Sequence, residues 1–345
     1  MKIRERGLII GQYPTGKHNC LTDVPGVKVG HITLHKKISE EEHACTGVTA
    51  ILPHEGNLFL EKVVAASYVI NGFGKTTGLV QLDELGLLES PIMLSNTFAV
   101  PAVTHGTIEY MLKNNREIGD TTGTINIVTG ECNDGYLNSI RELPIKPEHA
   151  IEAIENAVHT PCEEGAVGAG KGMVCFGYKG GIGTSSRIVA DNNQCSYHLG
   201  CLVLSNFGGK VEFPFDKYMG PFVKDKDVKE TPDGSIMIIL GTDIPLTDRQ
   251  LKRIAKRCGI GLGRTGSNYS HGSGDIVIAF SNGLKIPHHY KEDFSQQTVI
   301  REDHPIMNEI FSAAAEVTEE AILNSLSQAE TTTGRKGRTV YSLFS

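Results

Sequence analysis

Short apolar runs alternate with amphipathic stretches along most of the chain. Runs rich in valine, isoleucine and threonine predict β-strands. These runs lie at 27–34, 46–53, 63–70, 91–96, 124–130, 172–180, 185–190, 197–206, 235–240 and 275–281. Amphipathic stretches predict helices at 81–88, 102–113 and 147–158. Strands and helices intermixed in this way are typical of an α/β or α+β fold with layered packing.

The C-terminal third contains the two best-marked helices. Thr247 is a good N-cap, and Gln250, three residues later, gives the capping-box spacing. The apolar residues that follow share one face through their i, i+3, i+4, i+7 spacing: Leu251, Ile254, Ala255 and Cys258. GLGRTGS, at 261–267, is predicted as a glycine-rich exit from this helix. A second long helix is predicted from about 304 to 329, and we interpret its apolar stripe as core.

Between these regions, 207–234 follows no clear period. Its prolines, glycines and mixed charges predict an exposed excursion, a kind of segment in which chains are often cut. The segment ends in a Pro-Asp-Gly turn, directly followed by Ser235, the first residue of an apolar strand. Taken alone, this favours an ordinary turn before a strand. The alternative is a cut between Gly234 and Ser235, which would leave Ser235 as an N-terminal nucleophile.

Composition and charge restrict the class of protein. The chain has 345 residues, 39% of them hydrophobic and 21% charged, which is typical of a globular protein. A net charge of −7 without a long Lys/Arg run argues against a nucleic-acid partner. No apolar run approaches the roughly 20 residues of a membrane span. The N-terminal apolar segment is too short for a signal peptide, so we expect a cytoplasmic protein.

The eight cysteines include no CxxC pair, so we expect reduced, packed thiols. Because no tight Cys/His cluster has ligand spacing, no metal is expected. The glycine-rich stretch GYKGGIGTSSR, at 177–187, raises phosphate binding through backbone N–H groups. It lacks the order of a P-loop, and the next residues are predicted as strand. A tight hairpin is therefore the favoured interpretation.

Three further stretches carry candidate chemistry, although each by itself favours a turn. Ser273 and Asp275 are two residues apart, so on one strand they face the same way and can form a pair aimed at a third group. Asn206 ends a predicted strand before two glycines, and its amide is a plausible oxyanion donor. Glu131 and Tyr136 flank an Asn-Asp-Gly turn, where a carboxylate at a strand exit can hold a cation.

Taken together and in order, several blocks resemble the DmpA-type family. The blocks are LTDVPGVKVGH, GECNDGYLN, GYKGGIGTSSR, LVLSNFGG, DGSIMIILGTDIPLTDRQLKRIAKR and GLGRTGSNYSHGSGDIVIAFS. This family comprises L-aminopeptidase/D-amino-acid esterases and β-peptidyl aminopeptidases. The resemblance extends from about Thr22 to the TTTGRKGRTVYSL ending. A series of blocks in the right order is more specific than any single motif.

The resemblance implies a four-layer αββα sandwich of two central sheets, an α/β (α+β) class. It also implies a precursor that cuts itself at Gly234–Ser235. The products, 1–234 and 235–345, are expected to stay together as one domain. Relatives further suggest a tetramer of αβ units. No cofactor is expected, and the expected substrates are small peptides, amides or esters.

The same resemblance assigns roles to the candidate residues. Ser235 is expected to attack the substrate carbonyl and form an acyl-enzyme, with its own α-amino group as base. Asn206 is expected to donate to the oxyanion. Ser273 and Asp275 resemble the family's Ser-x-acid pair that contacts the nucleophile and its amine; the acid is often Glu in relatives, whereas this chain has the shorter Asp.

Glu131 is the candidate partner of the substrate ammonium group, and Tyr136 is expected to line the same pocket. Two alternative functions stay open. An acyltransferase would use the same nucleophile but pass the acyl group to an amine, which an assay of hydrolysis against transfer separates. A non-enzymatic binding protein would keep the scaffold uncut and would give an intact 345-residue chain.

Overall fold

The computed structural model describes residues 1–190, 195–219 and 234–344. In these ranges the strands are β1 Lys28–Lys37, β2 His43–Leu52, β3 Glu61–Gly72, β4 Leu87–Leu88, β5 Ile92–Asn96, β6 Val128–Cys132, β7 Val174–Cys175, β8 Tyr178–Lys179, β9 Gly181–Ala190, β10 Ser196–Asn206, β11 Ser235–Thr242, β12 Gly274–Pro287, β13 Thr332–Thr333 and β14 Thr339–Val340. The α-helices are α1 Leu79–Leu85, α2 Val100–Asn114, α3 Pro147–Glu155, α4 Phe215–Tyr218, α5 Asp248–Arg264 and α6 Ile306–Ser327. None of these described helices has the length and apolar character needed to cross a membrane.

Two sheets form the centre of the molecule. One has the strand order β1-β2-β5-β6 and the other the order β4-β3-β12-β11-β10-β9. Helices α2 and α3 cover the outer face of the first sheet, and α5 and α6 cover that of the second. The inner faces of the two sheets share one apolar core. This is the four-layer αββα sandwich that the resemblance implied.

Strand β11 lies inside the larger sheet, parallel to β12 and antiparallel to β10. Its side chains alternate between the two apolar layers. Met237 and Ile239 belong to the core between the sheets, whereas Ile236 and Ile238 pack towards α5 and α6. Burial on both faces explains why this strand is a continuous apolar run. Each such side chain contributes about 1.5–3 kcal/mol through burial.

The predicted start of α5 is confirmed. Thr247 Oγ1 accepts a hydrogen bond from the Gln250 N–H at 3.2 Å, and Gln250 Oε1 accepts one from the Thr247 N–H at 2.9 Å. The predicted glycine-rich exit is wrong for its first four residues, because the helix continues to Arg264. Gly261 serves packing there, since a Cβ would lie 2.4 Å from the Ala315 oxygen of α6.

Residues 172–187 also differ from the prediction. The strand predicted at 172–180 is a short hairpin of β7 and β8, turning at Phe176 and Gly177, which have φ values of 52° and 71°. From Gly181 the chain runs as β9, whose ladder with β10 extends to the end of the strand. Its glycines allow close approach: Cβ atoms at Gly181 and Gly183 would lie 2.0 Å from carbonyl oxygens. A strand committed to a sheet does not form the phosphate cradle considered above.

The irregular segment is only partly an exposed excursion. Four aromatic side chains anchor its described part, and all are buried: Phe207, Phe213, Phe215 and Tyr218. The prediction of exposure is therefore wrong for these four residues and holds for others between them, such as Val211, which is 67% exposed. The Pro232 and Asp233 positions of the predicted turn, with the rest of 220–233, lie outside the described residues.

Candidate active site

Ser235 is the first residue of β11 and is buried, with 6% of its surface exposed. In the sheet it lies opposite Asn206 of β10 and Gly274 of β12. Because side chains alternate along a strand, Ser235 faces the same way as Met237, into the space between the two sheets. The hydroxyl therefore lies at the end of an internal strand, with the other sheet across from it.

The peptide bond before Ser235 is held on both sides. The N–H of Gly274 donates to the carbonyl oxygen of Gly234 at 3.2 Å. Gly234 itself lies so close to β10 that a Cβ would be 2.2 Å from the Asn206 carbonyl oxygen. Only glycine fits this position without a shift of the backbone. A backbone donor thus polarises the carbonyl that precedes the serine, and sequence reasoning did not identify Gly274.

Ser273 and Asp275 form the hydrogen-bonded pair that their spacing predicted. Ser273 Oγ donates to Asp275 Oδ1 at 2.6 Å. The other carboxylate oxygen, Oδ2, is buried and has no hydrogen-bond partner among the described residues. Burial raises the pKa of Asp275 to about 6, and the hydrogen bond from Ser273 partly opposes that rise. The carboxyl group therefore changes charge close to neutral pH.

The register places this pair relative to the serine. Asp275 lies opposite Ile236, not Ser235, on the neighbouring parallel strand. Ile236 faces α5 and α6, so Asp275 is directed to the other face of the sheet from the Ser235 side chain. The backbone nitrogen of Ser235 lies in the plane of the sheet, between the two faces. The acid is consequently better placed to act on this nitrogen than on the hydroxyl.

Asn206 is fixed through both ends of its carboxamide. Oδ1 accepts a hydrogen bond from the Val174 N–H at 2.9 Å, and Nδ2 donates to the Asn133 carbonyl oxygen at 3.1 Å. The Nδ2 group carries two protons, and Asn133 accepts one of them. Asn206 lies opposite Ser235 in the ladder, as a donor near the nucleophile would.

Glu131 lies in β6, within the smaller sheet, and is buried. Its Oε1 accepts a hydrogen bond from the Lys75 N–H at 2.9 Å, and its Oε2 accepts one from the Thr97 hydroxyl. Gly74 lies between Glu131 and the strand next to Ser235. A Cβ at Gly74 would lie 3.9 Å from Glu131 Oε1 and 3.6 Å from the Gly274 Cα. The carboxylate therefore lies beside the end of β12 that flanks Ser235.

Cys132 joins the site although the sequence predicted only a packed thiol. It is fully buried, and Sγ donates to the Leu204 carbonyl oxygen at 3.4 Å. Burial raises the pKa of the thiol well above its usual value, and the charge of Glu131 raises it further. A hydrogen bond with the Ser235 side chain acts in the opposite direction. The thiol thus meets the serine hydroxyl from the opposite sheet, a contact that no local sequence signal reveals.

The described contacts of Tyr136 do not connect it to these residues. Its side chain is 47% exposed. The Arg338 guanidinium lies 4.9 Å from the centre of its ring, and Arg338 Nη1 donates to its carbonyl oxygen at 3.1 Å. Its role in a substrate pocket stays a prediction.

The titratable side chains do not assemble a metal centre in the part of the chain that the structure describes. No group of three or more His, Cys, Asp or Glu residues there is arranged to hold a metal ion. The arrangement at the end of β11 instead offers acyl-transfer chemistry. It combines a buried hydroxyl, a polarised carbonyl, an oriented amide donor and two carboxylates.

Comparison with known proteins gives a consistent result. The family model "Peptidase family S58" matches residues 19–340. The beta-peptidyl aminopeptidase BapA of Sphingosinicella microcystinivorans is 35% identical over 362 residues, covering 99% of this chain and 89% of the relative.

Two solved structures resemble the fold throughout. The PH0078 protein from Pyrococcus horikoshii OT3 has a TM-score of 0.92 and 46% identity, with 99% of this chain and 96% of that chain covered. The L-aminopeptidase D-Ala-esterase/amidase from Ochrobactrum anthropi has a TM-score of 0.89 and 32% identity, with 99% and 95% covered. The latter is described as a prototype for the serine aminopeptidases and a new variant among the Ntn hydrolase fold.

Proposed function

Because the chain belongs to peptidase family S58, we propose that it cuts itself between Gly234 and Ser235 and then uses Ser235 as an N-terminal nucleophile. The chain is a hydrolase of the aminopeptidase class with the N-terminal-nucleophile fold of the DmpA type. The observation that carries the proposal is the end of β11. There a buried serine follows a glycine whose carbonyl oxygen receives the Gly274 N–H at 3.2 Å.

Self-cleavage is an acyl shift followed by hydrolysis. Ser235 Oγ attacks the Gly234 carbonyl carbon and loses its proton, while the Gly274 N–H stabilises negative charge on the carbonyl oxygen. The bond from that carbon to the Ser235 nitrogen breaks, and the nitrogen takes up a proton. Water then hydrolyses the resulting ester. The products are a carboxylate at Gly234 and a free amine and hydroxyl on Ser235.

The new amine supplies the base that the precursor lacks. An α-amino group has a pKa of about 7.7–8.0, so an appreciable fraction is neutral near pH 7–8. It takes the hydroxyl proton as Ser235 attacks the substrate carbonyl. Asp275, held by Ser273 at 2.6 Å, lies on the side of the sheet from which it can hold this amine. These two residues thus act on the nitrogen of Ser235.

The remaining groups serve the substrate. Asn206 donates its second Nδ2 proton to the oxyanion of the tetrahedral intermediate. Glu131, which two donors hold in place, pairs with the free ammonium group of the substrate. This pairing explains a preference for N-terminal residues. The substrate class is small peptides, amides or esters with a free amino group, and Tyr136 remains a candidate for the pocket wall.

The two products are expected to remain associated after the cut. Strand β11 belongs to the chain 235–345, yet one of its neighbours, β10, belongs to 1–234. The core between the sheets also draws on both products. Separating them would expose this core to water, so one domain persists. As the resemblance implies, we propose a tetramer of αβ units, which sedimentation velocity of the purified protein tests. The expected location of the enzyme is the cytoplasm.

The activity test uses an L-alanyl or β-alanyl p-nitroanilide and its N-acetylated form. Wild-type protein is expected to release p-nitroaniline from the free-amine substrates only, and Ser235→Ala to release none. Ser185→Ala is the matched control, because Ser185 is a buried serine of the same sheet that donates to the Val317 carbonyl oxygen at 2.6 Å. Equal hydrolysis of acetylated and free-amine substrates, or activity in Ser235→Ala, would refute the proposal.

A further inference from the structure

Lys179, at the end of β8, is a fully buried cation with an unusual set of partners. Its Nζ donates to the carbonyl oxygens of Gly170 at 2.9 Å, Met173 at 2.8 Å and Gly180 at 2.7 Å. Burial lowers the pKa of Lys179 to about 7. The three carbonyls act in the other direction, because only the ammonium form has a proton for each of them.

One of these carbonyls leads directly to the active site. The Met173 C=O and the Val174 N–H belong to the same peptide group. Lys179 Nζ donates to the Met173 oxygen of that group at 2.8 Å, and the Val174 N–H of the same group donates to Asn206 Oδ1 at 2.9 Å. The nitrogen of the Asn206 carboxamide in turn donates to Asn133 at 3.1 Å. A continuous chain of hydrogen bonds therefore runs from Nζ to Nδ2.

Such a chain affects both the geometry and the strength of the final donor. In its ammonium form, which predominates below a pKa of about 7, Lys179 draws electrons from the peptide group whose oxygen it binds, and the N–H of that group becomes a stronger donor. The same effect passes through the next amide, because hydrogen bonds in series polarise one another. The partners of Nζ are neutral carbonyls, so no carboxylate cancels its charge at hydrogen-bonding distance.

We propose that Lys179 is a positioning residue for the hydrolytic reaction. Acting through the Met173–Val174 peptide, it fixes and polarises the Asn206 carboxamide, so that the second Nδ2 proton is directed at the oxyanion. The inference rests on the role proposed for Asn206 above. It assigns Lys179 an effect on the transition state without contact with the substrate.

A double-mutant cycle in the full chain tests this. Lys179→Met, Asn206→Ala and the double variant are compared by kcat and KM on an alanyl p-nitroanilide. Turnover is expressed per cleaved chain, quantified by mass spectrometry. Asn206→Ala should lower kcat about 10²–10³-fold. Lys179→Met should lower kcat about tenfold or more with KM unchanged, because the oxyanion exists only in the transition state. In the Asn206→Ala background the same change should lower kcat less than about twofold.

Controls separate this role from stability and from failure of the proposed function. Arg187→Met removes another fully buried cation, outside this chain of hydrogen bonds, and should leave kcat unchanged at a temperature where it is folded. Equal losses from Lys179→Met with and without Asn206 would overturn the inference alone. An unchanged kcat in Asn206→Ala would overturn the oxyanion role itself. If Lys179→Met does not fold, Lys179→Gln, which retains two donors, replaces it. Loss of fold in both would assign Lys179 to stability and overturn the positioning role.

Discussion

Two buried polar clusters in this molecule differ in how completely their atoms are paired. The arginine cluster consists of Arg187, Glu316 and Glu320. Arg187 donates to Glu316 Oε2 at 2.9 Å, to Glu320 Oε2 at 2.6 Å and to two backbone carbonyls. The Gln12 N–H also donates to Glu316 at 2.9 Å. Each charge here meets an opposite charge, and the cluster ties α6 to β9 and to the N-terminal segment.

The strand-end cluster, made of Ser235, Cys132, Glu131 and Asp275, is less completely satisfied. Asp275 Oδ2 has no partner among the described residues, and burial raises the pKa of Asp275 to about 6. No lysine or arginine is paired with either carboxylate in the ion pairs of the described chain. A buried carboxylate without a cation is costly for folding. A new amino group and a substrate ammonium are the cations that would satisfy it.

This difference indicates that the arginine cluster serves stability and the strand-end cluster serves catalysis. Both clusters are buried, so burial alone does not identify a site. The strand-end cluster is distinguished by carboxylates that no lysine or arginine of the described chain pairs with. It also lies beside a peptide bond that is already polarised. Changes in the arginine cluster should act on folding, and changes in the strand-end cluster should act on catalysis.

Removing Arg187 should have the largest effect, and this effect should be on stability. Arg187→Met leaves the buried Glu316 carboxylate without its cation, whereas Glu320 keeps Arg4 at 2.7 Å. Breaking a buried ion pair in this way typically costs about 3–5 kcal/mol. The free energy of unfolding is measured by urea titration in a Ser235→Ala background, so that only one covalent form is present. Folded Arg187→Met with intact Ser235 should still process. A folded variant that fails to process would show that the two clusters are not separate in function.

Asp275→Asn should reduce turnover by about 10²-fold, because the pair no longer holds the amine as a carboxylate. It should also remove a pH dependence. In the wild type, kcat/KM should fall in two steps as the pH drops: first where the Ser235 amine takes up a proton, near about 7.7–8.0, and then through about 6, where Asp275 takes up a proton. The measurement is a pH–rate profile of both proteins. A step near pH 6 that is unchanged in Asp275→Asn would assign it to another group.

Asp275→Asn should also change the free energy of unfolding. At pH 7 this change should be a gain, whereas the change in turnover is a loss. The pKa of Asp275 is raised from 3.8 to about 6 on folding, so the native state binds more protons between these values. Its contribution to stability is therefore present below about pH 4 and is lost as the pH rises through about 6. In the Ser235→Ala background, Asp275→Asn should gain stability relative to its parent at pH 7 and lose that gain at pH 4. Urea titrations at the two pH values test this.

Glu131→Gln should raise KM about ten- to a hundredfold for substrates with a free amine, because one charge-assisted contact is lost. The shape is nearly unchanged: the amide oxygen can still accept from the Lys75 N–H, and the amide NH2 can donate to the Thr97 hydroxyl oxygen. The comparison is made with a substrate whose amino group is replaced by hydrogen, for which Glu131→Gln should have little effect. Equal changes in KM for both substrates would indicate a structural role.

Cys132→Ala should have the smallest effect, a few-fold loss in kcat. The thiol meets the Ser235 hydroxyl but is a weak hydrogen-bonding group, and its raised pKa keeps it protonated. Cys258→Ala is the matched control, since Cys258 is equally buried but lies on α5, on the other side of the sheet from the Ser235 side chain. A loss of more than 10²-fold in Cys132→Ala, with the control active, would show that the thiol takes part in the reaction.

The sequence predicted most of what depends on local periodicity. The apolar run of β11, the capping box of α5 and the Ser273–Asp275 pair all depend on residues close together in the chain, and the structure contains each of them. The order of motifs along the chain indicated the layered fold. These features needed no knowledge of which strands lie side by side.

Other features required the tertiary structure. The thiol of Cys132 reaches Ser235 from the opposite sheet, and Gly274 reaches Gly234 from a neighbouring strand. The glycines of 177–187 suggested a loop. At Gly181 and Gly183, however, other backbone segments approach so closely that a side chain would not fit. Close approach and loop conformation both favour glycine, so composition does not separate them.

Self-cleavage between Gly234 and Ser235 is tested by intact-mass spectrometry of the purified protein, beside Ser235→Ala. The wild type should give two chains, the smaller beginning at Ser235 with a free amino group. The variant should remain a single chain of about 37.3 kDa. A wild-type protein that is folded and yet remains one 37.3 kDa chain would refute self-cleavage, and Ser235 would then have no free amine to act as its base.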